Sequence, residues 1–474
     1  MEKEKKLLKN TAIFGIGAFC SKMLQFLLIP FYTRVLTDSQ YGTIDILQNL
    51  GTLLIPIISL TIAEAVFRFA MEKNSNKEEI LSTAFFSVTF NILIISTLSV
   101  IIYNLTKYEY TLLLVVYISA SIIRTIFSQY IRAIGKVKFF TLDNIINIFT
   151  TILFIIIFLT KFDMGVTGYL LGYIIGNIIS IFTLFFIGKL YKVIKFKKIS
   201  KKLFVKMLKF SIPLIPNSIC WWIINFSDRI MITYFSGSGE NGIYSVAHKL
   251  PTIITVLVDV FFQAWQISAN SEIENEDINV YYSKTFECLF TLVFITCSFF
   301  MLIAKLVTKV ALGIDFQMAW YYMPMLLVST AFFSMAQFLG SIYTAKKKTK
   351  MAFVTNLSSA IINIILNFVL LYFMGTIGAA VATAISYMFL WIYRAIDTKK
   401  LVNISYDFKN IFFSVLLLLI ECVLITIQIK YVYIFSIAIF ILLIFMHYKT
   451  IFYLIVKIKE VLKGVLLKLR RTND

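Results

Sequence analysis

The chain has 474 residues, 59% of them hydrophobic and only 15% charged, with a formal charge of +20 and a mean hydropathy of +0.85. Soluble domains carry about 25% charged residues, so a water-soluble protein is excluded. A membrane span needs about 20 apolar residues, so this length holds on the order of fourteen spans with short loops and leaves no room for a soluble catalytic domain.

In chain order, the first apolar run lies near 10–33. It contains Lys22 and is too long for the core of a cleavable leader, so it is expected to stay in the membrane. Spans follow near 42–69, 80–103, 111–131, 139–160 and 164–188, and a basic stretch at 189–209 interrupts them. Further spans lie near 210–235, 242–269, 282–304, 319–343, 351–373 and 376–393, then two more near 410–429 and 431–448. The reading is an all-α polytopic membrane protein: an N-terminal six-helix bundle (1–188), a basic cytoplasmic linker (189–209), a C-terminal six-helix bundle (210–400), helices 13 and 14 (401–448) and a tail (449–474). In the tail, basic and apolar residues alternate at helical spacing, which suits a helix lying on an anionic inner leaflet of membrane lipids.

The +20 charge is a topological signal, not a nucleic-acid one, because the cations sit in short clusters between apolar runs. With a cytoplasmic N-terminus, 33 of the 45 Lys and Arg residues fall in inside segments and six in outside ones (Arg34, Lys107, Lys161, Lys305, Lys309, Lys430). This asymmetry places both termini in the cytoplasm.

The chain resembles itself. At an offset of 200, Leu8, Lys9, Cys20, Phe26, Thr33, Gly42, Leu50 and Thr52 recur as Leu208, Lys209, Cys220, Phe226, Thr233, Gly242, Leu250 and Thr252. Further on, Met164-Gly165-x-x-Gly168 returns as Met374-Gly375-x-x-Gly378, and Ile145-Ile146-Asn147-Ile148 as Ile361-Ile362-Asn363-Ile364. Spans 1–6 therefore read as a repeat of spans 7–12. An even number of spans per repeat relates the halves by an axis along the membrane normal, a transporter arrangement in which rocking exposes a cleft to each side in turn.

A charge near the bilayer centre costs about 2.5–3.5 kcal/mol on insertion scales and needs a partner or a watery cavity. Lys22, Arg68, Arg124, Arg229 and Lys249 fall within spans, as does Lys284 at a span edge. Arg68 follows Glu64 by four residues, so an ion pair along one helix face is an alternative reading for it. As a set, the first five suit an anionic headgroup, whose phosphate oxygens would meet ammonium and guanidinium groups. Within the spans Asp45, Glu64, Asp143, Asp228, Asp259, Glu287 and Glu421 are available to neutralise some of them. Gln25, Gln48, Asn49, Trp221, Trp222, Asn225, Gln263, Trp265 and Gln266 are candidates for stacking on and hydrogen bonding to sugars, with interfacial anchoring or helix packing as the alternative for each. Asp228 with Asn363 and Asn367 is a candidate oxygen-ligand site for a coupling ion.

No catalytic constellation emerges. His248 and His447 are the only histidines, no nucleotide-binding GxxxxGK[ST] loop occurs, and Cys20, Cys220, Cys288, Cys297 and Cys422 lie in apolar runs as packing residues. No cofactor or metal is expected. Movement of a cargo would draw on an H+ or Na+ gradient, the membrane potential or downstream consumption.

Several stretches carry a family resemblance: Lys9-Asn10-Thr11-Ala12, Leu28-Ile29-Pro30-Phe31-Tyr32-Thr33-Arg34-Val35-Leu36 with Tyr41-Gly42, Tyr130-Ile131-Arg132-Ala133-x-Gly135-Lys136, and Gly375-x-x-Gly378-Ala379-Ala380-Val381-Ala382-Thr383. They resemble the multidrug/oligosaccharidyl-lipid/polysaccharide (MATE-like) exporter superfamily and, within it, the Wzx-like bacterial flippases of O-antigen and capsule repeat units. The resemblance implies a non-enzymatic transporter of the bacterial inner or plasma membrane. Its cargo would be an undecaprenyl-diphosphate-linked oligosaccharide, passed from the inner to the outer leaflet and on to polysaccharide polymerase machinery. The cations of the cavity would hold the diphosphate, with Lys22 standing where the related lipid II flippases carry a basic residue, and helices 13 and 14 would form a groove for the lipid tail. A cation-coupled multidrug antiporter of the same superfamily is the first alternative, although Lys22, Arg124, Arg229 and Lys249 would repel cationic drugs. A membrane glycosyltransferase or polymerase is the second, although the longest outer segment, around 305–318, has a single acid, Asp315.

Overall fold

The computed structural model describes residues 26–72, 75–271, 278–346 and 348–456. Its elements are helices joined by short turns, and contacts part the chain into two compact units, Met1–Gly242 and Ile243–Asp474. Among the described residues, eleven helices are long and apolar enough to cross a membrane. A twelfth is made if the bent pair Val432–Met446 and Tyr448–Val456 counts as one span. Most of the first expected span lies outside the described residues. Those near 210–235 and 242–269 are helical, over Leu214–Ala247 and Lys249–Ser271, and the segment Lys201–Cys220 is one of the eleven.

Unit one opens with α1 (Ile29–Val35), started by Pro30, whose missing N–H costs nothing in a first helical turn. Thr37 then caps α2 (Asp38–Ile58) in a capping box: its hydroxyl accepts from the Gln40 N–H while the Gln40 side chain accepts from the Thr37 N–H, both at 3.2 Å. The single span expected over 42–69 is broken after α2 by Leu60 and Thr61, at φ 52° and 49°, and resumes as α3 (Ile62–Ala70). A left-handed β-branched residue is unfavourable, and a helix break frees backbone groups that hydrocarbon cannot satisfy. The fold meets both demands locally. The Thr61 hydroxyl donates to the Ser211 carbonyl at 2.6 Å, and Asn91 Nδ2 donates to the Ile58 carbonyl at 3.0 Å.

Helices α4 (Lys77–Thr106), α5 (Thr111–Ala133), α6 (Val137–Thr160) and α7 (Gly165–Phe182) follow. At 30 residues, α4 is about 45 Å long, well beyond the hydrocarbon thickness, and Phe90, Leu93, Leu98, Ile101 and Leu105 on it stay exposed as a lipid-facing surface should. The core of unit one gathers Ile62, Val66, Leu81, Ile118, Phe127 and Ile131 from α3, α4 and α5.

The stretch expected as a basic linker is folded. A π-helical turn (Thr183–Ile187) and two 3-10 turns lead into the amphipathic α8 (Lys201–Ser211). It is stitched to α4: Lys195 N donates to Ser82 Oγ at 2.9 Å, Ser200 N to Thr83 Oγ1 at 3.1 Å, and Lys195 Nζ pairs with Glu78 at 2.9 Å. Helix α9 (Leu214–Ala247) follows, broken at Gly237 (φ 92°, ψ 168°), a conformation open to glycine alone.

Unit two holds α10 (Lys249–Ser271), α11 (Ile278–Ala311), a 3-10 segment (Ile314–Tyr321), α12 (Met323–Ala345), α13 (Thr349–Met374), α14 (Thr376–Thr398), α15 (Phe408–Ile427) and α16 (Val432–Met446). Helix α12 is the buried axis, with Leu326, Ala331, Met335, Phe338 and Ile342 sealed from solvent. Polar contacts along one side of α11 fasten the last helices to it. The Thr450 hydroxyl donates to Glu287, His447 lies 3.2 Å from Thr291 and 2.9 Å from Ser414, Ser298 donates to Glu421 at 2.6 Å, and Lys305 donates to Gln428. In both units the repeated Met-Gly-x-x-Gly motif makes a tight helical hairpin, with Gly165 and Gly375 at φ 48° and 63°.

Candidate functional site

Four positions on one face of α2, spaced three, three and four residues apart, all meet α9. Ser39 Oγ lies 2.7 Å from Ser238 Oγ. At Gly42 and Gly242 the two backbones cross: a Cβ on either glycine would overlap a carbonyl oxygen of the other segment, that of Ser238 or of Asp38. Asn241 Nδ2 donates to the Gly42 carbonyl at 3.1 Å. One turn further, Asp45 forms an ion pair with Arg229, and both side chains are 9% exposed. Asn49 Nδ2 donates to Asp45 Oδ2 at 2.9 Å, and the Asn49 carbonyl accepts from Trp222 Nε1 at 2.7 Å. The Arg229 guanidinium also lies 5.4 Å from the centre of the Phe226 ring.

This seam accounts for several candidates at once. Arg229, expected as a cation within a span, is buried and paired with Asp45. Asn49 and Trp222, candidates for sugar contact, are engaged with each other and with Asp45. Gln48 is half-buried beside them. Asp228 is buried, and its Oδ1 accepts the Arg229 N–H at 2.9 Å, folding back on its own helix.

Arg124 on α5 lies elsewhere in unit one. Its NH2 reaches Asp143 Oδ2 at 3.2 Å and Asn144 Oδ1 at 2.7 Å, and its Nε donates to Ser180 Oγ at 2.9 Å. It ties α5, α6 and α7 together, and a chain of amides extends the same interface: Asn147 donates to Asn177 at 3.2 Å and Asn177 to Ser121 at 3.0 Å. Arg68, on the exposed side of α3, lies 4.4 Å from the centre of the Phe210 ring, and no ion pair joins it to Glu64. Lys22 and Gln25 lie outside the described residues. Trp221, Asn225, Gln263, Trp265 and Gln266 fall on α9 and α10, but their side chains are also outside the described part.

In unit two, Lys249 is half-buried at the start of α10. Asn367 Nδ2 donates to Asn363 Oδ1 at 3.0 Å, and Asn363 reaches Thr383 Oγ1 at 3.4 Å. The bond between the two amides runs along α13, and Asn363 extends it to Thr383 on α14, while Asp228 belongs to the other unit.

Sequence reasoning missed Arg394. It follows the span expected near 376–393 by one residue, and it sits inside α14 and is only 5% exposed. Its NH1 donates to the Ala336 carbonyl at 2.7 Å, NH2 to Asn356 Oδ1 at 2.8 Å and Nε to Thr355 Oγ1 at 3.2 Å. Among the described residues no carboxylate is within ion-pair distance of it. Gly340 leaves the room, since a Cβ there would overlap the guanidinium. The missed signal was the continuation of helical periodicity from Thr376 through Thr398. A second omission is a chain of tyrosines beside the seam, in which Tyr32, Tyr169, Tyr173 and Tyr117 follow one another at 5.3–5.9 Å between ring centres.

The sequence matches the family described as polysaccharide biosynthesis protein over residues 7–266, more than half of the chain. The chain belongs to this family. No curated protein matches it significantly. Among solved structures, this member of the polysaccharide biosynthesis family is similar to the lipid II flippase MurJ in an inward closed conformation, with a TM-score of 0.72 and 18% identity over 93% of this chain and 99% of that one. It is also similar to an inward-facing multidrug resistance MATE family transporter of the MOP superfamily, with a TM-score of 0.61 and 11% identity over 79% and 98% of the two chains. A MOP superfamily transporter from Pyrococcus furiosus gives 0.56 and 10% over 83% and 95%. The polytopic α-helical fold is thus that of MurJ and the MATE transporters.

Proposed function

We propose that the protein carries a polyprenyl-diphosphate-linked oligosaccharide from the inner to the outer leaflet of a bacterial plasma membrane by alternating access, as a step in surface polysaccharide biosynthesis. The observation that carries this reading is the extent of the likeness to the lipid II flippase. It takes in 93% of the chain, whereas the MATE likenesses take in 79–83%. Membership of the polysaccharide biosynthesis family supports the same cargo class.

The chemistry agrees. A diphosphate is best met by guanidinium and ammonium groups in a region of low dielectric, where each is worth more than in water. Arg229 is a buried cation within an expected span, paired with Asp45 on another helix. Arg124 is held inside its own bundle and is assigned to packing, which leaves Arg229, Arg68, Lys249 and Lys22 as the diphosphate set. Both termini would be cytoplasmic, polymerase machinery would consume the flipped unit, and an H+ or Na+ gradient would drive the cycle.

The test is reconstitution into proteoliposomes with a fluorescent undecaprenyl-diphosphate oligosaccharide and an impermeant quencher. Time-dependent loss of protection is expected with the protein and not with empty vesicles. Collapse of the ion gradients should slow it. Absence of lipid movement together with efflux of a cationic dye would replace this reading with the antiporter.

A further inference from the structure

The Asp45–Arg229 pair lies one turn along α2 from the Gly42–Gly242 crossing, and on α9 the two fall on either side of the Gly237 break, so α2 is held by the ion pair before the break and by the close crossing after it. A carboxylate and a phosphate are alternative ligands for one guanidinium: both present acceptor oxygens in the plane of the fork, and the phosphate carries more charge. Asp45 is held ready for Arg229 by Asn49 Nδ2, and Asn49 is held in turn by Trp222 Nε1. The carboxylate thus occupies the place that a ligand phosphate would take, and it removes the cost of an uncompensated cation while no ligand is bound. Each side chain of the pair keeps 9% of its surface exposed.

We propose that the cargo's diphosphate and Asp45 compete for Arg229, so that binding of cargo releases α2 from α9 and opens the Gly42–Gly242 crossing. The inference rests on the flippase reading and adds to it the event that couples binding to movement. Contacts that do not depend on the exchange, Ser39 with Ser238, Asn241 with the Gly42 carbonyl and Trp222 with the Asn49 carbonyl, are uncharged and individually weak. Asp45 is the return spring: once the diphosphate leaves, it recaptures Arg229 and closes the seam.

The experiment uses the full chain in nanodiscs, with native cysteines replaced and Ser39→Cys/Ser238→Cys introduced as a proximity reporter. The probe is undecaprenyl diphosphate, with undecaprenol as the uncharged control. Disulfide formation under a mild oxidant and lipid binding are both measured. Undecaprenyl diphosphate is expected to slow cross-linking about fivefold, and undecaprenol not at all, as befits a ligand that prefers the open seam. Asp45→Asn should cross-link slowly with or without lipid. It should also bind the diphosphate about tenfold more tightly, because the competing closed state has been weakened. Since a single change at a buried pair can impair folding, the swap Asp45→Arg/Arg229→Asp serves as a second variant. It should cross-link like the parent without lipid, because the pair is restored in the opposite sense. Binding of undecaprenyl diphosphate with unchanged cross-linking in the parent protein, or slow cross-linking in the lipid-free swap that nonetheless folds, would overturn the exchange and leave the flippase reading standing. No binding of the diphosphate lipid at all would overturn the flippase reading and the exchange with it.

Discussion

Gly42 and Gly242 lie at the crossing of α2 and α9, where the backbone of each segment fills the space that the other's side chain would need. They are also repeat-related positions, 200 residues apart in the chain. Enlarging either one forces the helices apart. Overpacking of this kind costs about 1–3 kcal/mol where neighbours can shift, and here the neighbour is backbone. Gly42→Ala and Gly242→Ala are each expected to reduce cross-linking between cysteines at positions 39 and 238 and to lower the unfolding temperature in detergent. Unchanged cross-linking in both would mean that the crossing is not a close contact in the membrane.

The ion pair of Arg124 and Asp143 is assigned to packing, and that assignment is separable from cargo binding. Removing one partner of a buried pair costs about 3–5 kcal/mol, whereas replacing both with apolar residues of similar volume is often neutral. Asp143→Leu alone should therefore reduce the folded protein in membranes strongly. Arg124→Met/Asp143→Leu should recover it, together with surface polysaccharide per folded molecule. A double variant that folds yet exports nothing would return Arg124 to the diphosphate set.

Arg394 presents three donors to three acceptors on α12 and α13, a geometry that depends on the guanidinium fork. Arg394→Lys keeps the charge and loses the fork, so it is expected to lower thermal stability nearly as much as Arg394→Met. Gly340→Ala should destabilise the same site from the opposite side. Circular-dichroism melting in detergent micelles reads all three. A fully stable lysine variant would show that charge, and not directionality, is what this site requires.

The contacts of α11 with α15, α16 and the segment after α16 are a row of hydrogen bonds in the apolar phase. Interhelical hydrogen bonds in membranes average about 0.6 kcal/mol each, so no single one holds the two final helices in place. His447→Leu, which removes the contacts to both Thr291 and Ser414, is expected to cost about 1 kcal/mol by the same measure. The triple change Ser298→Ala/His447→Leu/Thr450→Val should expose α16 to protease or faster hydrogen exchange while leaving α12 protected. Equal protection of α16 in the triple variant would assign its attachment to apolar packing alone.

Much of this fold is legible in one sequence, because the membrane imposes a one-dimensional rule. Backbone polar groups must be satisfied within each segment, so long apolar runs become helices wherever they occur. The same rule makes the Met-Gly-x-x-Gly repeat readable, because Gly165 and Gly375 supply a positive φ that few other residues tolerate. The interruption after α2 was not legible. Leu60 and Thr61 carry no break signal, and their left-handed conformation is compensated by Ser211 and Asn91, which are remote in sequence.

Composition, span order, the repeat and the presence of cations among apolar residues were thus determined by the sequence alone, because each depends on local hydrophobicity or on periodicity along one helix. Which acid meets which cation was decided only by tertiary structure. Asp45 and Arg229 are 184 residues apart, and Arg124 and Asp143 are brought together by the packing of α5 against α6. A Coulombic pair in hydrocarbon depends on a separation of a few ångströms, and that separation is set by how helices cross. The sequence counted the cations among apolar residues, and the packing determined that Arg229 holds an aspartate.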